Sequence, residues 1–200
     1  GQCTSPWGLE SVIKVLTENT NAEIFVGDAD VATQKQVERA AILWGAKEIC
    51  NDYGIKFVNL SKEKTKKVNI NGEIFREIKI PKILLDVDSI VTLPVLKTHN
   101  VTNMTFALKN QWGCLPRMRH QYHLVAHKAI AEINSFLKPC FAVGDATVCL
   151  EGNGPRTGKP KLVNSVLASN DLVAIDAAGA KIVGLSADEV PYLKFAEMLG

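Results

Sequence analysis

Two hundred residues with 46% apolar, 22% charged and 6% aromatic side chains exclude a disordered or collagen-like chain and fit one globular domain. A net charge of +2 is too balanced for a polyphosphate-backbone binder, so nucleic acid is not an expected partner. No apolar run reaches the roughly 18 residues that span a bilayer and no basic-then-apolar leader opens the chain, which reads as a cytoplasmic protein with no membrane partner.

Ser5-Pro6 supplies a cap and a first-turn proline, and Leu9, Val12, Ile13 and Leu16 repeat with helical spacing behind it. Glu23 to Val26 reads as a strand stopping at Gly27-Asp28, and Thr33 with Gln36 reads as a capping box ahead of Val37, Ala40, Ala41 and Trp44. Ile55 to Leu60 is a second strand. Lys66 to Ile70 and Glu73 to Ile78 flank Asn71-Gly72, the pattern of a two-residue hairpin turn, so residues 62–80 form a hairpin excursion. Ser89 to Leu93 is a strand ending at Pro94, Tyr122 to Leu137 a helix, Cys140 to Gly144 a strand, Leu162 to Ala168 a strand after a glycine-rich loop, and Asp171 to Val183 a helix. Ser186 with Glu189 caps a last helix. The alternation predicts a single α/β domain over 1–200, with a mainly parallel sheet flanked by helices.

In such a sheet, ligands bind beyond the carboxyl ends of the strands. Asp28, Asp30, Lys97, His99, Asp145, Glu151, Ser169, Asn170 and Asp171 all follow predicted strands and converge on one edge if the sheet is parallel. Asp28, Asn170 and Asp171 are read as caps of turns and helix N-termini. Lys97 and His99, two residues apart, point to one side of an extended segment, where a cation and an imidazole share an anion or metal. Lys109 and Asn110 follow on what reads as a first helical turn, whose amino end offers donors to an anion. His120, His123 and His127 fall at i, i+3 and i+7, and the last two have metal-chelating spacing on a continuous helix, but H-E-x-x-H is absent and packing is an equal use for such rings. Gly152 and Gly154 allow close backbone approach to a ligand, although no Walker loop or G-x-G-x-x-G is present, and a plain tight turn is the reading the sequence favours. Asp176, in an apolar helix, needs a cation or hydrogen-bond donors; it either binds a cofactor or anchors backbone N–H groups. The five cysteines, odd in number and without C-x-x-C, encode no iron–sulfur motif, zinc ribbon or disulfide framework.

The runs Leu93-Pro94-Val95-Leu96-Lys97-Thr98-His99 and Met104-Thr105-Phe106-Ala107-Leu108-Lys109-Asn110-Gln111-Trp112-Gly113 carry a resemblance. So do Tyr122-His123, Gly144-Asp145, Glu151-Gly152-Asn153-Gly154-Pro155 and Ala168-Ser169-Asn170-Asp171 with Ala174 and Asp176. Together they resemble the family called domain of unknown function 362 over nearly the whole chain from Ser5 onward. Many members of that family carry a ferredoxin-type iron–sulfur module, which implies redox metabolism and a ferredoxin-type partner; this chain has no such module. The resemblance also implies a domain that continues past both ends of the sequence. A fainter similarity is to the nickel-pincer lactate racemases, in which a strand also leads through histidine to a lysine. His99 and Lys109 hold the analogous positions, with Ala107 and Leu108 replacing the glycines expected there.

The expected function is that of an α/β enzyme holding a small anionic ligand or a divalent metal. His99, Lys97, Lys109 and His123 are the catalytic candidates and Asn110, Gly152, Gly154 and Asp176 the cofactor-binding ones. The metal candidates are His99, His123, Asp145 and Glu151. Histidine is the expected proton carrier. The competing readings are a non-catalytic accessory module that docks to an iron–sulfur redox partner and a purely structural module.

Overall fold

The computed structural model describes residues 3–31, 36–115, 117–155 and 157–200. The chain opens with helix α1 (Pro6–Asn19), started by the Ser5 hydroxyl, which accepts from the Gly8 N–H at 3.3 Å. Strand β1 (Phe25–Asp28) follows, then helices α2 (Val37–Leu43) and α3 (Ala46–Asp52) and strand β2 (Lys56–Asn59). Thr33, half of the expected capping box, lies outside the described residues, and the Gln36 side chain makes no cap. β1 and β2 pair in parallel, and Ile13, Cys50 and Ile55 form a small core beneath them.

Strands β3 (Thr65–Asn69) and β4 (Glu77–Pro81) form an antiparallel pair outside the main sheet. Their connection is not the two-residue turn expected at Asn71-Gly72. Asn71 does adopt φ 51°, but the Ile74 and Phe75 N–H groups donate at 2.9 Å to the buried Glu132 carboxylate rather than to a cross-strand partner. Phe75, 1% exposed, turns inward to meet Tyr122 edge-on.

Helix α4 (Ile83–Asp86) leads to β5 (Val91–Thr92), β6 (Val95–His99) and β7 (Asn103–Thr105). Helix α5 (Ala107–Asn110) and two 3-10 segments, Gln111–Cys114 and Arg117–Val125, precede helix α6 (Ala126–Leu137). Strands β8 (Phe141–Glu151) and β9 (Lys159–Ser169) form a long hairpin, and α7 (Leu172–Ile182) and α8 (Pro191–Leu199) close the chain. Asp171 caps α7, and Ser186 with Glu189 makes the expected capping box.

The sheet is α/β but not mainly parallel. β5 and β6 run parallel to β8 along one side of it, interrupted at Pro94, which has no N–H to give a ladder. β7 is antiparallel to β6, and β9 is antiparallel to β8 along its full length. Among the described residues the six strand pairings divide evenly between the two senses. This splits the expected polar edge. Ser169 pairs with Ala142 near the start of β8, so Ser169, Asn170 and Asp171 sit at the end opposite Glu151, and Asp145 is mid-strand. The main core, with Leu96, Phe106, Ile130, Ile133 and Tyr192, lies between this sheet and α5 to α8. Among the described residues no helix is long and apolar enough to cross a membrane.

Candidate functional site

β6 places Lys97 and His99 two residues apart on one face, as the spacing requires. The turn after His99 folds back so that His99 Nδ1 accepts from the Val101 N–H at 3.0 Å and the Thr102 N–H at 3.4 Å. Its other nitrogen, Nε2, lies 2.9 Å from Lys109 Nζ. Backbone N–H groups only donate, so Nδ1 carries no proton and the tautomer is assigned: the ring proton of a neutral imidazole is on Nε2. A Nε2–H facing an ammonium would set donor against donor. The contact is satisfied when Nε2–H donates to the lone pair of a neutral Lys109 amine.

Burial, then the nearby Lys109, His123 and Lys97 charges, push His99 down to about 3. Burial, then Lys97 and Arg119, bring Lys109 down to about 8. Burial also lowers Lys97, against the opposing charges of Cys3 and Asp28.

Three buried groups hold Lys109 in place. Asp176, fully buried, accepts from the Ala107 N–H at 2.6 Å and the Leu108 N–H at 3.2 Å. Asn134 donates to the Leu108 carbonyl at 2.7 Å, and Gln111 donates back to the Ala107 carbonyl at 2.6 Å. Just outside them, Asn110 donates to Thr92 Oγ1 at 2.8 Å. Asp176 and Asn110 therefore anchor α5 instead of facing a cofactor, and the amino-end donors of α5 are consumed internally.

The expected metal set does not assemble, and among the described residues no three His, Cys, Asp or Glu side chains are placed to hold an ion. Both His99 nitrogens are engaged by the protein. Asp145 holds the start of α1, accepting from the Ser5 N–H at 2.8 Å and from Thr147 Oγ1 at 2.6 Å. Burial raises its carboxyl, but those hydrogen bonds outweigh burial and leave it below the usual carboxylate range. Glu151 is exposed and pairs with Lys161 at 3.0 Å. Gly154 approaches protein, not ligand: a Cβ there would collide with the Thr98 carbonyl, and its own carbonyl accepts from Asn100. Gly152 offers its carbonyl to Thr98 Oγ1.

The histidine stripe breaks because the α-helix begins only at Ala126. A 3-10 segment has three residues per turn, which eclipses i and i+3, so His120 and His123 stack with ring centroids 4.8 Å apart. His123 stands edge-on to Trp112, close enough to depress His99, whereas His127 stacks on Tyr192 in the interior.

The structure also brings in residues that sequence reasoning passed over or read as structural. Asp28, at the end of β1, opens to solvent in a setting where protein surrounds most of it. That burial raises its carboxyl against the Ala29 N–H and the charges of Arg119 and Lys97. Its position after a parallel strand was the available sign. Arg119, buried, donates to the Asp30 carbonyl at 2.7 Å and the Leu115 carbonyl at 3.1 Å, tying β1 to the 3-10 segments. Burial, then the Asp28 charge, push the Cys114 thiol up to about 12. Nothing in the sequence marked Arg119 or Cys114. Lys97 and Arg119 thus act electrostatically on both Asp28 and Lys109, and Lys97 also on His99.

A model of the family described as Domain of unknown function (DUF362) matches residues 1–181. The chain belongs to this family. A thylakoid-associated protein of Synechocystis sp. is 30% identical over 138 residues, a stretch that covers 65% of this chain and 43% of that protein. The chain thus spans less than half the length of that relative. The DUF362 family model carries no reaction in its description, so the chemistry is argued from the His99–Lys109 pair.

Proposed function

We propose that this chain is an enzyme domain that binds an anionic small molecule beside the His99–Lys109 pair and moves a proton on it through Lys109. The observation that carries this reading is the 2.9 Å contact between Lys109 Nζ and His99 Nε2, with Nδ1 held as an acceptor by backbone N–H groups. Lys97 and Arg119 supply the positive charge that pairs with the anion. Lys109, lowered to about 8, takes the proton in its neutral form. His99 does not exchange its proton near pH 7; it donates Nε2–H and fixes the direction of the amine lone pair. This replaces histidine with lysine as the proton carrier. A reducing, cytoplasmic setting belongs to the same proposal, supported by five free cysteines.

Titrating the protein with oxalate while following amide resonances tests the reading. Val101 and Thr102 are expected to shift in a saturable way, and Lys97→Met is expected to weaken the response about tenfold or more while the fold is retained by circular dichroism. If oxalate, pyruvate and phosphate all leave those amides unmoved, the reading fails.

A further inference from the structure

We infer, resting on the anion-binding reading above, that Lys109 is an amine nucleophile that forms a Schiff base with the carbonyl of a 2-oxo carboxylate. A lysine that attacks a carbonyl needs a lone pair, a fixed position and a way to bring the carbonyl to it. The lone pair follows from donor and acceptor counting. The Val101 and Thr102 N–H groups leave Nδ1 without a proton, so the ring proton is on Nε2, which meets the Lys109 nitrogen. The fixed position follows from Asp176, Asn134 and Asn110, which hold the short helix bearing Lys109 at both ends. The delivery follows from Lys97, which stands two residues from His99 on the same face of β6 and so beside the Lys109 contact, with the Arg119 charge adding to it. In a 2-oxo acid the carbonyl carbon is bonded to the carboxylate, so the group that pairs with these cations carries the electrophile with it.

The step balances without any oxidant or reductant. Nζ bonds to the carbonyl carbon, and the π electrons move to oxygen, which takes one amine proton. The C–O bond then breaks and the oxygen leaves as water with the second amine proton, leaving C=N. His99 Nε2–H, released from the lone pair, is placed to hydrogen-bond the departing hydroxyl. Uptake of one solvent proton gives the iminium, an electron sink for bond cleavage at the neighbouring carbon. The lowering of Lys109 to about 8 is consistent with an amine reactive at moderate pH.

Pyruvate with sodium cyanoborohydride, followed by peptide mapping, decides the question on the unmodified chain. The reduced adduct is expected on the Lys109 peptide well above every other lysine, with a yield that rises with pH through about 8. It is expected to vanish in Lys109→Met and to fall at least about tenfold in Lys97→Met, which keeps its fold by circular dichroism. An adduct spread evenly over the surface lysines overturns the inference, as does pyruvate that shifts the Val101 and Thr102 amides yet leaves no adduct. The latter result preserves anion binding; absence of both shift and adduct overturns the inference, and anion binding falls with it when oxalate and phosphate also leave those amides unmoved.

Discussion

Replacing Asp176 by Asn tests whether a buried carboxyl anchors the lysine-bearing helix. Asp176 has no solvent exposure, and burial, only partly offset by the Ala107 and Leu108 N–H groups and the Tyr192 hydroxyl, pushes it up to about 7. An unfolded Asp has a pKa of about 3.9, so between these values the native state retains a proton that the unfolded state has lost. Native stability therefore falls as pH rises through the window and levels off above it. With 1.36 kcal/mol per unit, the linkage between pH 5 and pH 8 amounts to roughly 3 kcal/mol. Asn cannot ionise, and its single carbonyl oxygen satisfies one of the two N–H donors well, at a cost of about 1–3 kcal/mol for the other. Wild type is thus expected to be the more stable at pH 5, and the gap to close or reverse by pH 8. Urea unfolding of both proteins across that range measures the difference, in which titrations shared by the two cancel. A difference that does not change with pH refutes the reasoning.

Glu132→Ala removes the acceptor of the Ile74 and Phe75 N–H groups and is expected to cost about 2–4 kcal/mol, seen as faster amide exchange at those two residues; unchanged exchange there counts against the clamp. Gly144→Ala drives a Cβ into the buried Phe106 ring and is expected to lose about 1–3 kcal/mol, partly restored by Phe106→Leu in the double variant; additive losses would show that the two sites do not touch. Lys97→Met removes a like charge near Lys109, so the pH midpoint for trapping a neutral aldehyde at Lys109 is expected to move upward, and a downward move contradicts the arrangement.

Local rules in the sequence located most elements. Ser5-Pro6, Asp171 and the Ser186–Glu189 box act where capping chemistry places them, because a cap needs only its own few neighbours. Strand direction was not legible: nothing between Glu151 and Lys159 distinguishes a hairpin from a crossover until the chain returns, and that direction decides which residues share an edge. The pairing of His99 with Lys109 was anticipated only as proximity. Its protonation pattern depends on the Val101 and Thr102 N–H groups, a backbone detail without a sequence signature. Asp145 and Glu151 resemble ligands by residue type, yet they are consumed by Ser5, Thr147 and Lys161. Arg119 reaches the Asp30 carbonyl from a 3-10 segment whose placement no periodicity encodes.

The β8–β9 hairpin has a consequence for association. β9 is eleven residues long and pairs only with β8 among the described residues, so its outer backbone groups resemble a template for another chain. Leu162 and Val166 stand exposed along it, which adds to that tendency. The strand answers with Lys159 and Lys161 near its entry, with Pro160, which has no N–H to donate, and with Asn164 at φ 56°, beside the register shift between Ala146 and Val148. A left-handed residue and a bulge twist the ribbon out of the flat geometry that sheet extension requires. The edge closest to self-assembly thus carries the charge, the proline and the kink that oppose it.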